Sequence, residues 1–357
     1  MRFGVSYYSL LDLDLKAVIQ SIQYAEEAGV DYAVLGESAV RDCFVSLAQV
    51  ANATKTIKLG TNVVPIYTRT PTLLAMSVIT LNEATGNRFT LFGIGAGGRL
   101  KIEPNHGVKV EKVALRTKEY IQIMRQILAG KKLDYDGELF KLHNAWIPQT
   151  YGVGTAASDM QPTLAPLYVP IYVGATGPLV LRVAGAYADG VILNSLSTPE
   201  YIEWAKGEIA AGAAEVGRDP SEVEIGCSFV MAANEDRDKV WEAAQRACLY
   251  YLREDHHQFT MSKAGLGERH KAIRETYLAG DLDGALKLID EDVINKVAFV
   301  GSPEQVRKRI KDYEAVGVTL GIIRNITDRK TGNQTVLDNI DAVASLVEHP
   351  PTKAAAS

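Results

Sequence analysis

Eight short runs rich in β-branched and aromatic residues recur along this chain, and most are separated by enough residues for a helix. They fall at residues 2–6, 31–35, 57–62, 88–94, 170–173, 190–194, 223–231 and 319–324. Strands joined through helices lie parallel, because a tight turn can only connect antiparallel neighbours. Eight strand–helix units within 357 residues favour a closed (β/α)8 barrel over an open doubly wound sheet. The helical segments carry their own signals. Leu15, Val18, Ile22 and Ala25 recur at helical spacing and Gly29 supplies a stop. Residues 72–84 read as a helix, and Ser302-Pro303-Glu304-Gln305 opens another with an N-cap, a first-turn proline and a capping-box glutamine.

Two insertions interrupt the alternation, at about 131–169 and 250–296. The first contains Leu133 to Phe140, which reads as a hairpin with Asp136-Gly137 at its turn, then a Gly-, Ser-, Thr- and Pro-rich stretch from Thr150 to Leu167 suited to a surface loop or lid. The second is a charged helical stretch. Residues 1–348 are expected to form one barrel domain and 349–357 a frayed tail.

Composition excludes several function classes. A hydrophobic share of 47% supports a sizeable core, and a net charge of −5 argues against a nucleic-acid surface, which needs a basic patch. No run of 18 apolar residues is present, so no membrane helix is expected, and Met1 leads straight into a strand without a signal-peptide apolar region. The three cysteines, Cys43, Cys227 and Cys248, form no zinc-type pattern and read as buried thiols of a cytoplasmic protein. Cys43 also falls near a probable site rim, where a reactive role is open.

Chemistry concentrates where strands run into glycines. Gly93-Ile94-Gly95-Ala96-Gly97-Gly98 ends the fourth run, with a spacing that departs from a dinucleotide fingerprint. Tyr172-Val173-Gly174-Ala175-Thr176-Gly177-Pro178 carries the fifth run into a helix, whose exposed N–H groups suit an anion. Each reads equally well as an ordinary tight turn.

Together these segments are more specific, because the chain resembles the bacterial-luciferase-like superfamily of flavin and deazaflavin oxidoreductases. Within it, the chain is most similar to the coenzyme F420-dependent methylenetetrahydromethanopterin reductases. The resemblance spans roughly residues 1–325. It is densest at Leu59-Gly60-Thr61-Asn62-Val63 with Tyr67-Thr68-Arg69, at Leu81-Asn82-Glu83, at Gly86-Asn87-Arg88-Phe89 and at Gly93 to Gly97. A second dense block runs from Val169 to Pro178 and through Ala188-Asp189-Gly190-Val191-Ile192-Leu193-Asn194. The resemblance implies a TIM barrel with the cofactor ring at the C-terminal mouth of the strands. It also implies a non-proline cis peptide at Asn62–Val63 bracing one face of the ring, and Gly95 and Gly97 are candidate cofactor contacts. Gly174, Ala175, Thr176 and Gly177 would hold the phosphate-bearing tail, and Asn194 would lie near ring or tail.

At the end of the second run, relatives tend to carry Asp-His where this chain has Glu37-Ser38. Glu37 is a candidate to bond the ring edge or donate a proton if burial raises its pKa. Its ordinary reading is a mouth carboxylate satisfied by backbone N–H groups. Ser38 in place of histidine bears on substrate identity. Tyr7 and Tyr8 are candidates to line the pocket, or to pack. His106 is a candidate substrate contact, and Arg99 and Lys101 candidates for an acidic tail or phosphate. His256 and His257 sit in Arg253-Glu254-Asp255-His256-His257-Gln258, which reads as a solvated charged face rather than a metal site. The expected activity is hydride transfer between coenzyme F420 and a small organic substrate, in a cytoplasmic homodimer or higher homo-oligomer. FMN-dependent monooxygenation and a non-catalytic flavin-binding barrel are the alternatives.

Overall fold

The computed structural model describes residues 1–7, 13–37, 41–145, 147, 167–326 and 333–347. Strands and helices alternate from the start: β1 (Arg2–Tyr7), α1 (Leu15–Glu27), β2 (Tyr32–Leu35), α2 (Cys43–Ala53), β3 (Lys58–Pro65), α3 (Pro71–Thr85) and β4 (Phe89–Gly95). Next come α4 (Arg99–His106), α5 (Val113–Leu128) and a hairpin of β5 (Leu133–Asp136) and β6 (Lys141–Ala145). The alternation resumes with β7 (Ile171–Ala175), α6 (Pro178–Tyr187), β8 (Gly190–Leu193), α7 (Pro199–Glu215) and β9 (Glu224–Ala233). The helices α8 (Asp238–Leu252), α9 (Gln258–Lys263), α10 (Gly267–Leu278), α11 (Leu282–Lys287) and α12 (Glu291–Val297) follow. The described chain ends with β10 (Phe299–Gly301), α13 (Pro303–Ala315), β11 (Leu320–Asn325) and α14 (Gln334–Ala344).

Eight parallel strands close into a ring in the order β1, β2, β3, β4, β7, β8, β9, β11 and back to β1. These are the eight runs read from the sequence, so the (β/α)8 barrel is the fold. One strand escaped that reading. β10 adds three residues in parallel to the far end of β9, pairing Phe299 with Met231. It is too short for a period-2 pattern to register.

Local chemistry sets the element ends. The Thr70 hydroxyl accepts from the Leu73 N–H, Pro71 opens α3, and Gly86 ends it in the left-handed region at φ 60°. The Ser302–Gln305 capping box forms in both directions. The hairpin lies further along than expected. Asp136-Gly137 only begins its loop, and the second strand runs from Lys141 to Ala145. The reason is Glu119 on α5, whose carboxylate accepts from the N–H groups of Glu138, Leu139 and Phe140 and so fixes a four-residue loop, 137–140.

The barrel interior is filled by Tyr32, Val34, Leu91, Tyr172, Ile192, Leu320 and Ile322, while the larger core lies between strands and outer helices. The second insertion is no surface appendage. With α8 and neighbouring strand ends it builds a core of its own around Cys248, Leu252, Met261, Ile273, Ile289 and Ile294. All three cysteines are buried, and burial raises the Cys43 thiol well above its usual range, so the reactive reading of that residue does not hold.

A polar plug closes the N-terminal end of the barrel. Glu224 accepts from Arg2, from the Tyr172 hydroxyl and from Thr319 Oγ1 at 2.8 Å. Burial pushes the Glu224 carboxyl up, but these hydrogen bonds and the Arg2 charge outweigh it and hold it below its ordinary 4.5. A lowered folded-state pKa contributes stability that is present above 4.5 and lost as pH falls through the folded value. Glu224→Gln is therefore expected to cost about 1–3 kcal/mol at pH 7, discounted for partial exposure. Urea melts at stepped pH would show the gap to wild type narrowing below 4.5. A gap independent of pH would refute the assignment.

Candidate active site

The C-terminal ends of the strands surround a cleft of about 310 Å3. Its base is formed by Asn62 and Val63 from β3, the β4 end at Gly95 with the following Ala96, Gly97 and Gly98, and Gly174 and Ala175 from β7. Thr176, Gly177, Ile192, Asn194 and Arg324 continue the wall, and Glu37 stands just beyond β2. Active sites of parallel barrels lie at this end, because the loops there vary while the strands hold them rigidly.

The Asn62–Val63 peptide bond is cis, as the resemblance implied. β3 shifts register against β4 between Thr61 and Val64, so the strand bulges at that point. Val63 then lies across two glycines that face each other in the sheet, Gly95 and Gly174. A Cβ on Gly95 would stand 2.8 Å from Val63 Cγ2, and one on Gly174 would stand 3.0 Å from Val63 Cγ1. These glycines admit the Val63 side chain, whereas the resemblance implied that they contact the cofactor themselves. Arg324, buried at the end of β11, donates from Nη2 to the Asn62 carbonyl at 2.8 Å and from Nη1 to Ser6 Oγ at 3.1 Å. The Asn62 amide donates to Ser228 Oγ at 3.1 Å, which fixes the other side of that residue.

Glu37 reaches the cleft but is heavily engaged. Arg69 donates from Nε to both carboxylate oxygens at 3.2 Å and from Nη2 at 2.8 Å. Thr68 Oγ1 donates at 3.0 Å and the Cys43 N–H at 3.4 Å. Four donor groups make five hydrogen bonds, the Arg69 Nε–H being shared between both oxygens, and they fill the roughly four lone-pair sites of a carboxylate, so the proton-donor role has no free oxygen to act from. The Glu37 N–H also donates to the Val63 carbonyl at 3.1 Å, tying this residue to the bulge. Satisfaction comes mainly from a guanidinium 32 residues away rather than from backbone N–H groups.

Two other candidates lie elsewhere. Tyr7 is buried between β1 and α1, its hydroxyl accepting from Ser21 Oγ at 2.8 Å, because the odd residues of β1 point outward to the helices. His106 is the exposed last residue of α4 and does not line the cleft. Ser38, Tyr8, residues 150–166 of the lid-like loop and the tail lie outside the described residues.

Sequence reasoning missed the roof. The last turn of α8 and the segment joining it to α9 fold over the mouth and bring Tyr250, Tyr251, Glu254, Asp255, His256 and His257 to the cleft. It is anchored at both sides. The Glu254 carboxylate packs against Gly98, where a Cβ would stand 3.1 Å from Oε1, and Phe259 stacks on Trp204 with centroids 5.7 Å apart. His257 is fully buried, not solvated. Lys101, from α4, rests over the Tyr250 ring at 3.7 Å. Burial lowers the Lys101 ammonium to about 7, with Arg253 and Arg324 adding to the fall and Glu254 opposing it. Arg324 was legible in principle, as a charged residue at the C-terminal end of a barrel strand.

The cleft has what a planar, anionic-tailed cofactor needs. Val63, Val110, Val113, Val180 and Ile192 give it apolar surface, and Arg99 and Lys101 stand on one side. The first N–H groups of α6 follow Gly177, which offers no side-chain cap to occupy them. Fold and site together define a barrel that binds such a ligand at its mouth. The chain belongs to the luciferase-like monooxygenase family, whose model matches residues 1–320. It is 31% identical over 325 residues to 5,10-methylenetetrahydromethanopterin reductase of Archaeoglobus fulgidus, covering 89% of this chain and 92% of the relative. It is 32% identical over 323 residues to the reductase of the same name from Methanolobus tindarius, covering 89% and 92%. The solved structure of the coenzyme F420-dependent tetrahydromethanopterin reductase from Methanopyrus kandleri superposes with a TM-score of 0.78 at 25% identity, covering 96% of this chain and 97% of that one.

Proposed function

We propose that this protein is a coenzyme F420-dependent oxidoreductase that transfers hydride between the deazaflavin and a small organic substrate, with a methylene-bearing reduced pterin as the substrate class. The observation that carries this reading is the Val63 bulge seated on Gly95 and Gly174 at the floor of a mouth cleft, in a chain whose relatives bear the reductase name.

When bound, the deazaflavin supplies a ring carbon that carries two electrons as hydride. The protein's part is to bind, orient and exclude water. Asn62 and Val63 would back one face of the ring, leaving the other to the substrate. Asn194 would lie near the ring or tail. Arg324 and Ser228 hold Asn62 in place from two sides. Gly97, Thr176 and Gly177 would hold the tail by backbone N–H groups, and Arg99 and Lys101 would meet its negative charge. The roof from Tyr250 to His257 would keep water from the space between them.

We further propose one barrel domain acting in the cytoplasm as a homodimer or higher homo-oligomer, dimers being the commonest closed assemblies. Among the described residues no helix is long and apolar enough to cross a membrane.

Titration of the purified protein with coenzyme F420 and with FMN, oxidised and reduced, tests the cofactor. F420 should bind at micromolar Kd with little FMN binding, and reduced pterin should then oxidise or reduce it, read as a change in F420 absorbance. Preferential FMN binding would overturn the reading in favour of oxygen-dependent chemistry, which the family's name also covers.

A further inference from the structure

His257 is the most anomalous polar side chain of the cleft. It has no exposed surface, and neither Nδ1 nor Nε2 has a hydrogen-bond partner among the described residues. Its ring is fixed by packing instead, edge-on to Tyr251 at 5.7 Å and tilted against His256 at 4.5 Å. A buried imidazole with two unmade hydrogen bonds costs stability in the free protein, and a phenyl ring of similar shape would fill the same place without that cost. What distinguishes His257 from a core histidine is its position in the wall of the cleft, in a segment whose Glu254 lies against Gly98 after β4 and whose Phe259 lies near Gly177 at the start of α6. Its surroundings also fix its charge. Burial comes first, and His256 and His270 add to it, in holding His257 well below the usual histidine range. Glu254 and Asp255 are its acidic neighbours in the roof, with Lys101 facing them from α4. A neutral imidazole carries one donor and one acceptor.

Resting on the cofactor reading above, we infer that His257 is a ligand-contacting residue whose free ring nitrogen hydrogen-bonds a polar group of the bound deazaflavin coenzyme. The roof then closes the cleft over the cofactor and also recognises it. The unmade hydrogen bonds of the free protein are completed only on binding, so free energy withheld from folding appears as affinity.

The test compares wild type, His257→Phe and His257→Gln by thermal melting without ligand and by fluorescence titration with coenzyme F420. His257→Phe should melt at or above wild type, while its Kd for F420 rises about tenfold, the size of one lost hydrogen bond to a neutral group. His257→Gln, which keeps a donor and an acceptor, should recover part of that affinity. A readout free of any variant comes from wild type labelled with 15N-histidine, in which F420 should move the ring-nitrogen resonances of the neutral His257. Equal F420 affinity in wild type and His257→Phe, or ring resonances unmoved by F420, would overturn the inference. So would a rise confined to the substrate KM. Failure of wild type itself to bind F420 would instead strike the cofactor reading.

Discussion

Arg69→Ala is expected to destabilise the protein by about 2–4 kcal/mol, the largest loss predicted here for a single polar side chain at the mouth. The Arg69 and Glu37 side chains are only 14% and 11% exposed, so solvent screens this pair little. Removing the guanidinium strips three of the five hydrogen bonds from the Glu37 carboxylate and leaves its charge in a poorly hydrated place. It also removes the partner of Asp42, which caps α2, and the cation over the Phe44 ring at 5.2 Å. Most of the penalty arises from the orphaned carboxylate, so Arg69→Ala with Glu37→Gln should recover about half of it. Urea unfolding of the two single variants and the double variant gives the coupling directly. Additive losses would mean that the ion pair is incidental. Because the Glu37 N–H holds the Val63 carbonyl, the F420 Kd of Arg69→Ala should rise severalfold as well.

The barrel was legible because its signal is local. Each strand is a run of Val, Ile, Leu and aromatic side chains buried on both faces, and such runs stand out whatever surrounds them. The position of the bulge came from resemblance alone, since nothing in Thr61-Asn62-Val63-Val64 announces it by composition. Glu37 was legible as a mouth residue, but its partner was not, since the ends of β2 and β3, 32 residues apart, meet only once those two strands pair. Tyr7 was misplaced by one step of the pleat: alternate residues of β1 face opposite ways, and sequence position at a strand end does not say which. The roof was least legible. Its helices carry enough charge to look solvated, yet one side of each packs into a second core, and His257 is buried edge-on to Tyr251. A histidine doublet beside an acidic pair was the available signal, and a period-3.6 reading alone assigns it to water.

Gly95→Ala is expected to cost about 1–3 kcal/mol in stability and to weaken F420 binding roughly tenfold to a hundredfold. The new Cβ would lie 2.8 Å from Val63 Cγ2, closer than carbon atoms pack, and Gly95 cannot retreat. Its carbonyl accepts from Ile66 N–H at 2.9 Å, and it pairs with Pro65 on one side and Gly174 on the other. Val63 must therefore move, and it is the residue proposed to back the cofactor ring. This cause makes a sharper prediction than the loss itself. Shortening Val63 to alanine removes the atom that clashes, so Gly95→Ala with Val63→Ala should be less destabilised than the two single losses added together, by roughly 0.5–3 kcal/mol. Affinity should behave differently. The double variant regains its fold but has less apolar surface beneath the ring, so its F420 Kd should stay above that of wild type. Urea melts and F420 titrations on the four proteins of this cycle separate the two effects. Strict additivity in stability would show that Gly95 is required for a reason other than Val63, and recovery of wild-type affinity in the double variant would show that Val63 does not support the cofactor.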